Sequence, residues 1–247
     1  MTSIAGYNIS AAPCCGKTYR TLRYRSMNFS AWEYWTDGYT EGGLMPTGYG
    51  LRKCLCGAFY LRREMVDLGE VDETELDNPS TVHADDLPNA IAQARNDQVE
   101  MAARLEYWQH LNHSYREIYR THRDAEEAAN QANWVLANPD NRSLWQKLRK
   151  VPARTYVRSS SSSFTYPPFE PTRVQQDNMR ALLLLLNSED KRKKHLEEIV
   201  ELHRELGEFE DAAKALDEYE EIDRSKVSEM LADLVKNRQT APVRYRL

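Results

Sequence analysis

The sequence predicts an α+β chain: a small β module over residues 1–63, followed by a mainly α-helical, helical-hairpin region. Two observations predict it. Up to residue 63, short β-type runs rich in Tyr, Trp and Thr are broken by turn signals at Asp37-Gly38, Gly42-Gly43, Pro46 and Gly48. From about Leu87 the apolar residues recur at helical spacing.

Taken in order, Thr18–Tyr24 and Ala58–Leu61 read as strands. Residues 64–88 are acidic, carry Asn78-Pro79-Ser80, and read as a linker. Ile91, Ala94, Val99, Ala102, Leu105 and Trp108 define a helix that Leu111, Tyr115, Ile118 and Tyr119 continue. A second helix spans Asp124–Ala137, with Ala128, Ala132, Val135 and Leu136 on one side, and Asn138-Pro139-Asp140 stops it. Ser143–Lys150 is a short helix carrying Leu144, Trp145 and Leu148. These close a helical region at 89–150. Residues 151–173, with Ser159–Ser163 and then Tyr166-Pro167-Pro168-Phe169-Glu170-Pro171, read as a linker or long loop, because serine tracts are flexible and prolines extend the chain. A helical block at 174–240 follows, near Gln175–Leu186, Lys191–Leu206, Glu210–Ile222 and Ser225–Lys236. A basic tail, 241–247, ends the chain.

Net charge is −5, but it is unevenly spread: residues 1–63 carry +5 and residues 64–106 carry −10. A chain that is acidic overall does not read as a nucleic-acid binder. The plain reading of the asymmetry is two surfaces that attract each other. Met1–Pro13 shows no secretory signal, and the longest apolar run, Leu182–Leu186, is far short of the roughly 20 residues of a membrane span. A cytoplasmic protein with no membrane partner is therefore expected, in which four cysteines in two close pairs read as metal ligands in preference to disulfides.

Those pairs are Cys14-Cys15-Gly16 and Cys54-Leu55-Cys56-Gly57. Four thiolates suit Zn²⁺ and complete a tetrahedral structural site. A glycine after each pair lets the backbone turn tightly and direct N–H groups at sulfur. The spacing is compressed: in the common two-knuckle pattern, Cys-x-x-Cys-Gly repeated, the outer cysteines would fall at Ala12 and Lys53. All four cysteines on one structural zinc is the leading expectation. Three ligands plus water or another residue, or thiols that simply pack, are the alternatives.

Between the pairs lie Ser26-Met27-Asn28-Phe29, Trp32-Glu33-Tyr34-Trp35-Thr36-Asp37-Gly38, Leu44-Met45-Pro46 and Leu51-Arg52-Lys53-Cys54, with Phe59 and Tyr60 beyond. On these motifs, residues 10–62 resemble the zinc-ribbon or rubredoxin-like N-terminal modules of a group of uncharacterised bacterial proteins. The resemblance implies a metal-bound β fold and a bacterial source, and names no activity. Further along, Glu205-Leu206-Gly207-Glu208-Phe209-Glu210-Asp211-Ala212-Ala213 resembles the centre of a tetratricopeptide (TPR) repeat, and His122–Ala129 resembles a weaker copy without the glycine or the aromatic.

Other motifs yield to simpler readings. Gly16-Lys17-Thr18 lacks the upstream glycine of a phosphate loop, since that position is Ala11. His110 and His113 have no third ligand nearby and read as helix-surface histidines. Cys14-Cys15 as a redox pair would be strained. Lys191-Arg192-Lys193-Lys194 reads as a solvated face paired with Glu197, Glu198 and Glu201.

No paired carboxylate, nucleophile–base or open metal signature stands out. The expected function is non-enzymatic: an adaptor or regulatory protein with a structural zinc module and a helical surface for a protein or peptide. Trp108, Tyr115, Trp134 and Trp145 are its candidate anchors. The alternative is a nucleic-acid-binding regulator, using Arg20, Arg23, Arg25, Arg52, Lys53, Arg62 and Arg63 interleaved with Tyr19, Tyr24, Tyr49 and Tyr60.

Overall fold

The computed structural model describes residues 3–26, 30–43, 49–150, 152–157 and 166–245. Leu44-Met45-Pro46, Met27–Phe29, the serine tract Ser159–Ser163 and the last two tail residues lie outside them. The chain is mixed, with small sheets toward the N-terminus and helices beyond. It divides into two compact units, one of residues 1–112 with 170–247 and one of residues 113–169.

Among the described residues, the first unit holds three small sheets. Strand β1 (Ser3–Ala11) lies between β2 (Thr18–Ser26) and β7 (Val66–Val71), antiparallel to both. Strand β3 (Ser30–Trp35) lies between β4 (Thr40–Gly43) and β9 (Arg244–Tyr245). Strand β5 (Leu51–Lys53) lies between β6 (Phe59–Leu61) and β8 (Ser80–Thr81).

Residues 64–88 were expected as a linker, yet they contain β7 and β8. Val66, Leu68 and Val71 are all exposed, so β7 is held by backbone pairing with β1 and not by a buried face. The acidic stretch does meet the basic one: Glu70 pairs with Arg23 at 3.1 Å and Asp86 with Lys53 at 2.7 Å. The N-terminal 63 residues are not a detached module either. Strand β9 comes from the C-terminus, and the first unit joins both ends of the chain.

The periodic run from Leu87 is three helices: α1 (Leu87–Ala92), α2 (Asp97–Leu111) and α3 (His113–Ala137). Gln93 closes the first, and Asn96 caps the second by accepting from Val99 N–H at 2.9 Å, which satisfies one of the orphan donors of the first turn. The expected break before Asp124 is absent and α3 runs straight through it, so no helical hairpin forms at the weaker repeat-like copy. Helix α4 (Leu144–Leu148) follows.

The late helices are α5 (Arg173–Leu186), α6 (Glu189–Arg192), α7 (Leu196–Glu205), α8 (Phe209–Ile222) and α9 (Lys226–Lys236). Helices α7 and α8 form the expected hairpin. Gly207 takes φ +75° at its turn, and Phe209 and Ala212 are buried.

Helix α2 organises the core of the first unit. Val99, Ala102 and Ala103 pack with Leu51, Phe59 and Leu61 of the third sheet and with Leu87 and Ala90 of α1. Leu105 and Trp108 pack with Met179, Leu182 and Leu186 of α5, Ile199 of α7, Ala215 of α8 and Leu231 of α9. Each such fully buried large apolar side chain contributes about 1.5–3 kcal/mol.

In the second unit, the segment returning from α4 packs on α3. Phe169 meets Tyr115 edge-on with ring centroids 5.1 Å apart, and Tyr166 stacks on Tyr119 at 6.1 Å. The Tyr115 hydroxyl donates to Pro167 O at 3.1 Å. Among the described residues, no helix is long and apolar enough to cross a membrane.

Candidate metal centre

The four cysteines sit at the tips of two hairpins. One tip, residues 12–17, joins β1 to β2, and the other, residues 54–58, joins β5 to β6. Each tip is closed by its own backbone: Ala12 N–H donates to Lys17 O at 2.8 Å, and Cys54 N–H to Ala58 O at 2.8 Å. Gly16 at φ +73° and Gly57 at φ +90° occupy the left-handed positions these turns need. An L-residue there would raise the backbone energy, which explains why a glycine follows each pair.

The turns bring all four sulfurs within 4.8 Å of one another. Cys15 Sγ lies 3.4 Å from Cys54 Sγ, Cys56 Sγ 3.5 Å from Cys14 Sγ, and Cys14 Sγ 4.0 Å from Cys15 Sγ. A tetrahedron of thiolates about 2.3 Å from a central Zn²⁺ has S···S edges of about 3.8 Å, so the observed edges bracket that shape. The compressed spacing is thus accommodated. The positions of the outer cysteines in the wider pattern have other duties here: Ala12 is buried beneath the tips, and Lys53 pairs with Asp86.

Hydrogen bonds to sulfur complete the geometry. The N–H of Cys56 is directed at Cys54 Sγ and that of Lys17 at Cys15 Sγ. Tyr19, buried against Cys54, places its hydroxyl 3.6 Å from that sulfur and accepts from Leu55 N–H at 3.2 Å. Burial pushes the Cys54 thiol up, but the Cys56 N–H, the Tyr19 hydroxyl and the neighbouring thiols outweigh it and bring its pKa down to about 6. Cys14 is pushed up to about 12, first by burial and then by its contacts with Cys54 and Cys56. The Cys54 thiolate is favoured, while Cys14 and Cys15 hold their protons more tightly than a free thiol. Four thiolates so close repel one another unless a cation lies among them. Cys14, Cys15 and Cys56 are exposed and Cys54 is buried, so an ion has an open approach.

The basic residues of the alternative site do not converge in this way. Arg20, Arg23 and Arg25 stand on β2, while Arg52, Lys53, Arg62 and Arg63 belong to the third sheet and its continuation. Five of the seven engage the chain itself. Arg20 bonds to Thr74 O and lies 4.8 Å over the Tyr7 ring. Arg23 bonds to Ala5 O and pairs with Glu70, Arg52 donates to Leu51 O, Lys53 pairs with Asp86, and Arg63 donates to Gln98. Arg25 and Arg62 are exposed. Tyr19 and Tyr60 are buried, so neither offers a face for stacking.

A second polar cluster was not foreseen. Asn112, at the end of α2, donates to Asp37 Oδ2 at 3.2 Å and to both carboxylate oxygens of Glu205 at 3.1 Å. Trp108 Nε1 donates to Glu205 at 2.9 Å. Arg204 grips Glu201 with two donors, and the Thr36 hydroxyl also donates to Glu201. All of these side chains are buried. The Trp35-Thr36-Asp37-Gly38 segment, read as part of a ribbon, is therefore the N-terminal contribution to a charged hub inside the first unit. The sequence did hold one trace of it, the adjacent Arg204-Glu205 within an otherwise apolar helical stripe.

Compared with known proteins, the chain matches no family model, no curated protein and no solved structure.

Proposed function

We propose that this chain is a non-enzymatic interaction protein, adaptor or regulator, whose N-terminal hairpins are stapled by one structural Zn²⁺. The observation carrying this reading is the closed set of four sulfurs within 4.8 Å. Thiolates favour zinc among the common divalent ions. Cys14, Cys15, Cys54 and Cys56 would hold it, and four protein ligands leave no open position for substrate or water. A zinc-ribbon-like arrangement, one knuckle from each of two hairpins, is supported by the glycine turns and by the N–H groups directed at sulfur. The ion would fix two short hairpins whose own small apolar cluster, Ala12, Tyr19, Cys54 and Tyr60, is slight for the task. Function then lies on the surfaces so held and on the helices, where the α7–α8 hairpin supports a TPR-like arrangement.

Of the four aromatic anchors expected for a partner, Trp108 and Tyr115 are core residues, whereas Trp145 is exposed. The partner-facing surface is accordingly assigned to the α3–α4 end of the second unit.

Elemental analysis of the purified full chain tests the staple. One zinc per chain is expected, with loss in Cys54→Ser, and Co²⁺ substitution should give the visible spectrum of a tetrahedral thiolate site. A zinc content far below one per chain overturns it. A partner captured by the wild type at high salt and lost on Trp145→Ala supports the interaction reading. Retention on heparin that falls steeply with salt would point instead to nucleic acid.

A further inference from the structure

We propose that the tip of the second unit, helix α4 and the chain beside it, is a peripheral attachment site for an anionic lipid surface. This rests on the reading of Trp145 as a contact residue and goes beyond it by naming what the residue touches. Among the described residues, no helix is long and apolar enough to cross a membrane, and the attachment proposed is to a surface.

Leu144, Trp145 and Leu148 are 80%, 73% and 73% exposed. At i, i+1 and i+4 they share one face of a single exposed turn. That turn is well formed: Ser143 caps it, accepting from Gln146 N–H, and Gln146 accepts back from Ser143 N–H at 2.9 Å. Val135, Leu136 and Val157, within ten residues of the turn in the chain and in the same unit, are exposed too. Six large apolar side chains facing solvent within residues 135–157 exceed the scattered apolar exposure of an ordinary surface.

The charge around this wedge is positive in a chain that is negative overall. Arg142, Lys147, Arg149, Lys150 and Arg154 fall between residues 138 and 157, and Asp140 is the one acid there. Asp140 is taken up by Arg142 at 2.8 Å and Lys147 at 3.4 Å. Arg149, Lys150 and Arg154 are exposed and make no ion pair among the described residues. A polar recess lined by Asn138, Asp140, Arg142, Gln146 and Arg154, among others, adjoins the turn.

Leucine and tryptophan on one side of a turn, with cations beside them, match the chemistry of a lipid headgroup boundary, where tryptophan sits best and cations meet phosphate and carboxylate. An exposed apolar turn suits a fluid surface that closes around it. A protein partner would need a preformed acidic groove cut to a single helical turn. Each cation close to such a surface strengthens binding roughly fivefold.

Sedimentation of the full chain with vesicles tests this. Equimolar phosphatidylcholine and phosphatidylserine should bring down the wild type at low salt, and phosphatidylcholine alone should not. Trp145→Ser with Leu148→Ser, and separately Arg149→Glu with Lys150→Glu, should each weaken binding by about tenfold or more. These side chains are exposed, so unchanged near-UV circular dichroism is expected in both variants. Three results overturn the proposal: no sedimentation with either vesicle, equal sedimentation with both, or binding that ignores both variants. If vesicles fail while Trp145→Ala abolishes capture of a protein, the contact is a protein and the interaction reading stands without the lipid. If vesicles bind and no protein is captured, the lipid attachment stands alone.

Discussion

The thiol cluster and the Asp37–Asn112–Glu205 hub, both in the first unit, are built on contrasting principles. The thiols, three exposed and Cys54 buried, come from two turns and are brought together by local backbone geometry around Gly16 and Gly57. The hub is buried, comes from three distant stretches of chain, and exists only once α2, α7 and the turn after β3 have packed. The first holds short hairpins that lack a large core. The second holds the two ends of the chain together, since Arg204 also bonds to Gln239 O, and Thr36 N–H donates to Val243 O at 3.0 Å. Breaking one should leave the other largely intact, and that independence is open to experiment.

The largest effect is expected in the hub. Arg204→Leu leaves the Glu201 carboxylate buried without the guanidinium that neutralises it. Removing one partner of a buried pair costs about 3–5 kcal/mol, or roughly 10 °C in Tm for a chain of this size. Thermal unfolding should show this loss, while whatever metal the thiol site holds in the wild type stays bound in the variant. Loss of that metal along with stability would show the two clusters to be coupled.

Metal removal comes next. An ion that binds only the folded chain adds about 4 kcal/mol when its free concentration is a thousandfold above Kd. Chelation, or Cys54→Ser, should remove a stabilisation of that order and open the two hairpin tips to hydrogen exchange. Protection in α5, α7 and α8 should persist, because their apolar core contains no cysteine. Protection lost evenly across the unit would refute the independence of the staple.

The same contrast sorts what was legible in the sequence. The thiol site was readable because its information is local: a cysteine pair, a glycine, then a strand. The α7–α8 hairpin was readable for the same reason, through Gly207 and the alanines after it. The hub was not, because nothing near Asn112 in the chain indicates that its amide will meet Asp37 and Glu205. Strand β7 was missed because Val66, Leu68 and Val71 lie in an acidic run and bury nothing. The break between α2 and α3 was missed because Leu105, Trp108, Tyr115 and Tyr119 keep helical spacing across Asn112 while serving two different units. The basic residues at 20–63 form a candidate surface by sequence, but pairing with the following acidic stretch engages Arg23 and Lys53.

A smaller effect should follow pH. The Glu205 carboxyl is held well above the ordinary range, first by burial and then by the charges of Glu201 and Asp37, against the opposing pull of the Trp108 hydrogen bond and Arg204. Its folded-state pKa is raised, so the folded chain binds the proton more tightly than the unfolded chain. Glu205 therefore favours folding most at pH values below its unfolded pKa, and that contribution is lost as pH rises through the folded pKa. The slope for one proton cannot exceed about 1.4 kcal/mol per pH unit. Glu205→Gln keeps an oxygen for Trp108 and removes the titration, so its stability should vary less over the same window. Denaturant midpoints of the two proteins across neutral and mildly acidic pH provide the measurement. Parallel curves would assign the pH dependence to other groups.

The smallest effect is expected at Trp145, whose exposure contrasts with the burial of Trp108. Trp108 is fully buried, donates to Glu205 and packs among α2, α5 and α7; Trp145 is 73% exposed. Truncating a buried tryptophan costs about 3–5 kcal/mol, whereas exposed substitutions stay within about 0.5 kcal/mol. Trp145→Ala should therefore leave Tm within roughly 2 °C of wild type, while Trp108→Ala unfolds or severely weakens the first unit. A large apolar side chain that folding does not require is free to serve binding, and its exposure marks a contact surface. If Trp145→Ala instead destabilised the chain as much as Trp108→Ala, the residue would belong to a packed core, and both the partner surface and the lipid attachment would lose their anchor.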